Sequence, residues 1–181
     1  MIEVREQPAA QATGTTQTPI RIKKIGHVVY KVSDLERSVT FWKDIMGFKE
    51  SDRNEHGMVF LRNAADHHTI ALVKAESDAE LPDPNDRKQL GLHHFAMEVG
   101  SMDELFQIRE FLKSKGIAIT AEGRRGPGAN PGVEFQDPDG YQLECYADME
   151  QIGWDGKSRP AEFWRRATSL EEAIANPVPS V

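Results

Sequence analysis

Apolar and polar positions along the chain change period twice, in the same order each time. Over residues 20–32 (IRIKKIGHVVYKV) apolar positions largely alternate with polar ones, the two-residue period of a half-buried strand. Ser33 and Glu36 then have the spacing of a capping box that opens a helix. Leu35, Val39, Trp42, Ile45 and Met46 recur at helical spacing, and Gly47 is placed to end that helix at the C′ position. Short strands are expected near 49–51, 58–62 and 69–74. An acidic, proline-containing linker follows at 76–88, and the order begins again. Residues 91–99 (GLHHFAMEV) read as a strand, and Ser101 with Glu104 as a second capping box. Leu105, Ile108, Phe111 and Leu112 supply the apolar stripe, Gly116 closes the helix, and strands are expected near 117–121, 132–136 and 141–146. Asp34 to Gly47 and Asp103 to Gly116 are both 13 positions apart (47 minus 34, 116 minus 103). Two tandem βαβββ modules of the α+β class are the simplest description of such a repeat.

This pattern divides the chain into a flexible arm at 1–20, a domain at 21–148 with modules at 21–76 and 89–148, and an extension at 149–181. The arm is rich in Gln, Thr, Ala and Pro and has no apolar period. The extension contains Trp154, Trp164 and an amphipathic stretch at 169–175, and is expected to dock on the body or on a second subunit. Asp137-Pro138-Asp139-Gly140 is a turn, because Pro presets φ and Gly permits positive φ, and it is expected to join the last two strands as a hairpin. Residues 123–132, with four glycines and two prolines, are expected to form a loop over the site.

Strand parity decides what each histidine can touch. Val28, Tyr30 and Val32 share an apolar face expected to pack under the first helix, which leaves His27, Val29 and Lys31 on the other. In the second module Phe95, Met97 and Val99 form the helix-packed face, with His94, Ala96 and Glu98 opposite. His27 and His94 therefore take equivalent places on equivalent strands, while His93 falls on the helix side. In the last strand Leu143 and Cys145 share one face, and Gln142, Glu144 and Tyr146 the other. An inward carboxylate is costly to bury without a partner, and a metal removes that cost. Two histidines and one carboxylate are the ligand set of the facial triad that holds iron(II). His27, His94 and Glu144 are therefore expected to converge on one divalent metal, iron(II) first, with manganese(II) or another divalent ion as alternatives.

Composition narrows the picture. The net charge is -7, so the chain lacks the basic surface that nucleic acids require. No apolar run approaches the roughly 20 residues that span a bilayer. The polar N-terminus lacks a signal-peptide core, and a cytoplasmic protein is expected. The sole cysteine, Cys145, excludes an internal disulfide and cysteine-caged zinc and reads as a buried strand residue.

The segments GHVVYKVSDLERSVTFWKDIMGF, LHHFAMEV and FQDPDGYQLECY resemble the vicinal oxygen chelate superfamily. That group holds extradiol dioxygenases, glyoxalases, epimerases and bleomycin-resistance proteins. The resemblance covers roughly residues 22–148 and is closest to a single-domain type I extradiol dioxygenase. It implies a cupped, open, barrel-like sheet around the metal, with His27, His94 and Glu144 on the ligand positions. Dioxygen would be co-substrate, a small catechol-like aromatic the substrate, and a homo-oligomer the assembly. His68 takes the place of a histidine beside the bound oxygen, where it would act as acid or base. Ala71 lies near a fourth ligand position of the isomerases and cannot ligate, which favours an oxygenase. Two positions depart from the family. Glu134 stands where a tyrosine is expected, and residues 124–126 (Arg-Arg-Gly) where a further histidine is expected. Arg125, Glu134 and Tyr146 are therefore candidates for substrate contact, with Tyr30 or Tyr146 as substitutes for the missing tyrosine. Two rival classes are a metal-dependent glyoxalase- or epimerase-type lyase or isomerase, active without oxygen, and a non-catalytic small-molecule binder of the resistance type.

Overall fold

The computed structural model describes residues 20, 22–81, 83, 85, 86, 88, 90–153 and 156–179. The arm expected at 1–20 lies almost wholly outside the described residues, as does Trp154. Both repeats take the expected βαβββ form. The first contains β1 (Val28–Val32), α1 (Leu35–Thr40), β2 (Lys49–Arg53), β3 (Val59–Arg62) and β4 (Ile70–Lys74). The second contains β5 (Phe95–Glu98), α2 (Met102–Ser114), β6 (Ile119–Arg124), β7 (Pro131–Gln136) and β8 (Gln142–Tyr146). A short α3 (Leu170–Ala175) lies in the C-terminal extension.

Each module forms its own four-stranded sheet, ordered β1-β4-β3-β2 and β5-β8-β7-β6. In both, the first strand pairs parallel with the last and the remaining pairs are antiparallel. Even the irregularities repeat, since β2 and β6 carry a register shift at the same place, at Glu50/Asp52 and Ile119/Ala121. β1 and β5 are edge strands of separate sheets, so the barrel is open.

Local chemistry explains where the elements depart from expectation. The first helix is capped by Asp34, whose carboxylate accepts from the Arg37 amide, not by Ser33. Ser33 is engaged elsewhere, because its amide and hydroxyl both bond the Asp139 carboxylate. Beyond Thr40 this helix widens into a π-helical turn, Phe41–Ile45, in which the adjacent Phe41 and Trp42 are both buried. The second cap is as expected: Ser101 accepts from the Glu104 amide, while Glu104 reaches back to the Gly100 amide. Gly47 and Gly116 end their helices at positive φ, +72° in both. The opening strands are shorter than their alternating patterns, because residues 22–27 and 91–94 run into β1 and β5 without ladder pairing. β6 in turn runs to Arg124, so the glycine-rich loop starts two residues later than expected.

One core cluster spans both modules. Trp42 stacks on Phe95 of the other module with ring centroids 5.9 Å apart and planes 11° from parallel. Ile45 and Met46 share a cavity with Met97, Val99 and Cys145 of the second sheet. The joint is fastened by a buried polar knot. The Trp42 indole N–H donates to the Tyr30 hydroxyl at 2.6 Å, and that hydroxyl donates to Asp137 Oδ2 at 3.1 Å. Asp137 also accepts the Asp139 and Tyr141 amides, and the Tyr141 hydroxyl donates to the Lys31 carbonyl. Burial holds the Tyr30 phenol well above its usual pKa, so it remains a donor. Tyr30 is thus committed to the joint and is not a substitute for the tyrosine missing from the site.

Tyr30→Phe leaves a buried indole N–H and a buried carboxylate short of a partner. The expected loss is about 1–3 kcal/mol of unfolding free energy, read from the midpoint and slope of urea denaturation. An unchanged midpoint would show that the knot does not hold the modules together.

Candidate functional site

The helix-packed face of each sheet is consumed by the core, so site chemistry falls to the opposite faces. In β8, Leu143 and Cys145 are buried, which turns Glu144 the other way. In β5, Phe95 and Met97 pack on the core and leave Ala96 and Glu98 exposed, with His94 just ahead on that side. The register pairs Ala96 with Glu144 across the parallel ladder, which places the preceding histidine over the carboxylate. His94 Nε2 lies 3.4 Å from Glu144 Oε2.

Three residues position this pair, and of these the sequence reading named only His93, on the helix side. His93 Nδ1 is 2.7 Å from His94 Nδ1, so one imidazole orients the other and leaves Nε2 facing the carboxylate. Parity alone had set His93 aside, yet an irregular lead-in to β5 does not obey strand alternation. Asn130 Nδ2 donates to Glu144 Oε1 at 3.5 Å. Gly132 lies under the carboxylate, where an added Cβ would come within 2.6 Å of Glu144 Oε1. Burial pushes the Glu144 carboxyl above its ordinary range, more than His94 beside it draws it down. A cation at this point would offset that burial, and imidazole nitrogen with carboxylate oxygen is a donor set suited to first-row divalent metals.

The third expected ligand is elsewhere. His27 packs its ring against His68, with centroids 4.5 Å apart, and His68 in turn lies against Phe60 and has its Nδ1 3.1 Å from that of His67. Burial, then His27 and His67, lower the His68 pKa below the usual imidazole value. Among the described residues no group of three His, Cys, Asp or Glu side chains is close enough to hold a metal. His27 stands with His68, and His94 with Glu144, because the joint between modules engages the helix-packed faces and not those that carry these side chains.

A polar cavity of about 340 Å³ opens beside His94, lined also by His93, Thr120, Arg125, Glu134 and Gln142. Arg125 Nε is 2.9 Å from Glu134 Oε1, and Gln142 Nε2 donates to Glu134 Oε2. Arg125 and Glu134, the two departures from the expected residues, thus form an ion pair on the cavity wall, with Glu134 opposite Glu144 in the β7–β8 register. Tyr146 is partly buried on the Glu144 face, opposite Gly132. Ala71 is wholly buried between Val29 and Phe60. No helix among the described residues is long and apolar enough to cross a membrane.

Residues 24–145 match the model of the Glyoxalase/Bleomycin resistance protein/Dioxygenase superfamily. The chain is 32% identical over 133 residues to a manganese-dependent 2,3-dihydroxybiphenyl 1,2-dioxygenase of Geobacillus genomosp. 3, covering 72% of this chain and 38% of that protein. It is 29% identical over 147 residues to a metapyrocatechase of Pseudomonas sp. (strain CF600), covering 80% of this chain and 45% of that protein. The chain thus spans less than half the length of these two relatives. Among solved structures, a glyoxylase/bleomycin resistance protein/dioxygenase domain from Frankia sp. EAN1pec superimposes with a TM-score of 0.56 at 25% identity, over 70% of this chain and 98% of that one.

Arg124 has a different task from its neighbour in the cavity wall. Its guanidinium is buried and donates to the carbonyls of Arg165, Ala173 and Asn176, the last two at the C-terminal end of α3. An isolated bridge between Arg124 and Ala167 lays the extension along β6, and Leu170 and Ala173 are buried there. Arg124→Met removes all three donors. The expected loss is roughly 3 kcal/mol, together with faster proteolytic trimming of residues 156–179; an extension that resists trimming as well as in the parent protein would refute the clamp.

Proposed function

Because the chain belongs to the Glyoxalase/Bleomycin resistance protein/Dioxygenase superfamily, we propose that it is a metal-dependent extradiol dioxygenase acting on a catechol-like aromatic. One observation carries this reading: His94 and Glu144 are brought to 3.4 Å beside a polar cavity, in a chain similar to dioxygenases of aromatic diols. His94 and Glu144, with His27 as third ligand, would hold iron(II) or manganese(II). Such an ion, when bound, supplies Lewis acidity toward the substrate hydroxyls and redox chemistry with dioxygen as co-substrate.

The chain's own side chains do the rest. His93 fixes the His94 ring, and Asn130 steadies the Glu144 carboxylate over Gly132. The Arg125–Glu134 pair, Gln142 and Tyr146 present donors and acceptors to the substrate. His68, whose Nδ1 is engaged by His67 and whose ring lies against His27, would exchange a proton at its other nitrogen. Ala71 contributes no further ligand, which keeps coordination positions open.

Three variants test this reading against oxygen uptake with a panel of catechols. Glu144→Ala is expected to abolish both metal retention and uptake; stoichiometric metal in that variant would exclude the carboxylate as a ligand. His68→Gln is expected to retain metal but turn over about a hundredfold or more slowly, and unchanged turnover would remove its role. Gly132→Ala deletes no ligand but displaces the carboxylate, and is expected to weaken metal affinity by about 10- to 100-fold with little change in unfolding midpoint. A metal affinity equal to that of the parent would show that the carboxylate is not held over Gly132.

A further inference from the structure

We infer that the cavity beside His94 continues into a basic annex built by the C-terminal extension, and that the substrate is an aromatic diol carrying a carboxylate, which Arg166 and Arg125 receive there. This rests on the proposed function and names its substrate class. Three observations carry it.

The first is that two cavities meet. Next to the polar cavity beside His94 lies another of about 390 Å³, and Ala121 and Arg125 line both. The annex is bounded on one side by Arg124 of β6 and on the other by Arg166, Ala167 and Thr168 of the extension. Each cavity lies in the range of roughly 300–1,000 Å³ that takes a small molecule. A ring seated against Glu134 and Gln142 can therefore extend a side chain past Arg125 into the annex.

The second observation is charge. The annex is lined by three cations, Arg124, Arg125 and Arg166, and one anion, Glu122. Glu122 lies 3.4 Å from Arg109, and Glu134 lies 2.9 Å from Arg125. Setting each carboxylate against its own arginine leaves Arg124 and Arg166 as uncompensated charge. Arg124 is committed to three backbone carbonyls. Arg166 makes no ion pair among the described residues, and its guanidinium lies over the Trp164 ring, 5.9 Å from the centroid. Glu134 takes only the Nε of Arg125, so both terminal nitrogens of that side chain have no partner among the described residues. The two arginines come close: a Cβ added to Gly126, which follows Arg125, would lie 3.6 Å from Arg166 Nη2. In a chain of net charge -7, paired forks of N–H donors at a cavity wall suit a planar carboxylate.

The third is how Arg166 is held. Ala167, the next residue, exchanges two backbone hydrogen bonds of 2.9 Å with Arg124 and so fixes the segment against β6. Arg165, the residue before, takes the left-handed φ of +49°, and its carbonyl accepts from Arg124 Nη1. The Trp164 indole N–H donates to the Arg159 carbonyl at 3.1 Å, which steadies the ring that Arg166 lies over. A solvated surface arginine needs none of these contacts, whereas one that meets a ligand at a set place does.

The test compares catechols bearing a carboxylate at the end of zero to three methylene groups with the methyl ester of each, by oxygen uptake with the metal-loaded protein. At least one acid is expected to exceed its ester by about 10- to 100-fold in kcat/KM, mostly through KM, and the advantage is expected to shrink as salt is raised. Arg166→Gln is expected to remove that advantage by raising KM for the acid, and Arg166→Lys to keep part of it. Acids no better than their esters in the parent protein would overturn the inference. So would an Arg166→Gln variant that slows acids and esters alike, the result for an arginine with a merely structural role. A second arm needs no turnover: arylalkanoic acids without the diol, and their amides, are titrated calorimetrically into the parent protein and into Arg166→Gln. The acids are expected to bind more tightly than the amides, and only in the parent protein; acids that bind no better than amides would overturn the annex. Oxygen uptake with no catechol of either series would refute the proposed function instead, and the second arm would then decide the annex by itself.

Discussion

The hydroxyl of Tyr30 is the point on which the arrangement of the two modules turns. It joins an indole on the first helix to a carboxylate in the last β-hairpin, and it does so where water cannot substitute. Because Asp137 belongs to the tight turn before β8, that bond fixes the strand bearing Glu144 relative to β1, which His27 precedes. The adjoining contacts agree with it: Ser33 and Arg37 bind Asp139, and Tyr141 reaches the β1 backbone. The modules are joined through their helix-packed sides, and that choice leaves the faces of His94 and Glu144 outward.

Much of this was legible in the sequence, for reasons that concern period. The repeat, the helix-ending glycines and the faces of β1, β5 and β8 follow from alternation and helical spacing, and the structure has them. What the sequence hid was of another kind. Capping by Asp34 instead of Ser33 depended on Asp139, more than a hundred positions away, which occupies the serine. The lead-ins at 22–27 and 91–94 have no ladder pairing among the described residues, and pairing is a property of the fold. The three candidate ligands were readable as residues, whereas the distance of His27 from His94 and Glu144 was not. Parity assigns a side chain to a face, and it is silent on how one sheet is placed against another.

The positions that depart from the superfamily resemblance have found other work. Glu134 and Arg125 neutralise each other on the cavity wall, so a pair of opposite charges stands where uncharged aromatic and imidazole groups were expected. The pair keeps that wall polar without adding net charge beside Glu144, whose burial already disfavours ionisation. Gly132 contributes by lacking a side chain: the carboxylate rests in the space a Cβ would fill.

Arg124 and Arg125 are adjacent at the end of β6, and they serve different parts of the molecule. One grips the carbonyls that finish the last helix, the other lines the polar cavity. A single inserted or deleted residue upstream in β6 would exchange their directions, since alternate positions project to alternate sides. The C-terminal extension therefore acts as a register lock. While it is clasped by Arg124, β6 cannot slip, and Arg125 is kept on the cavity side.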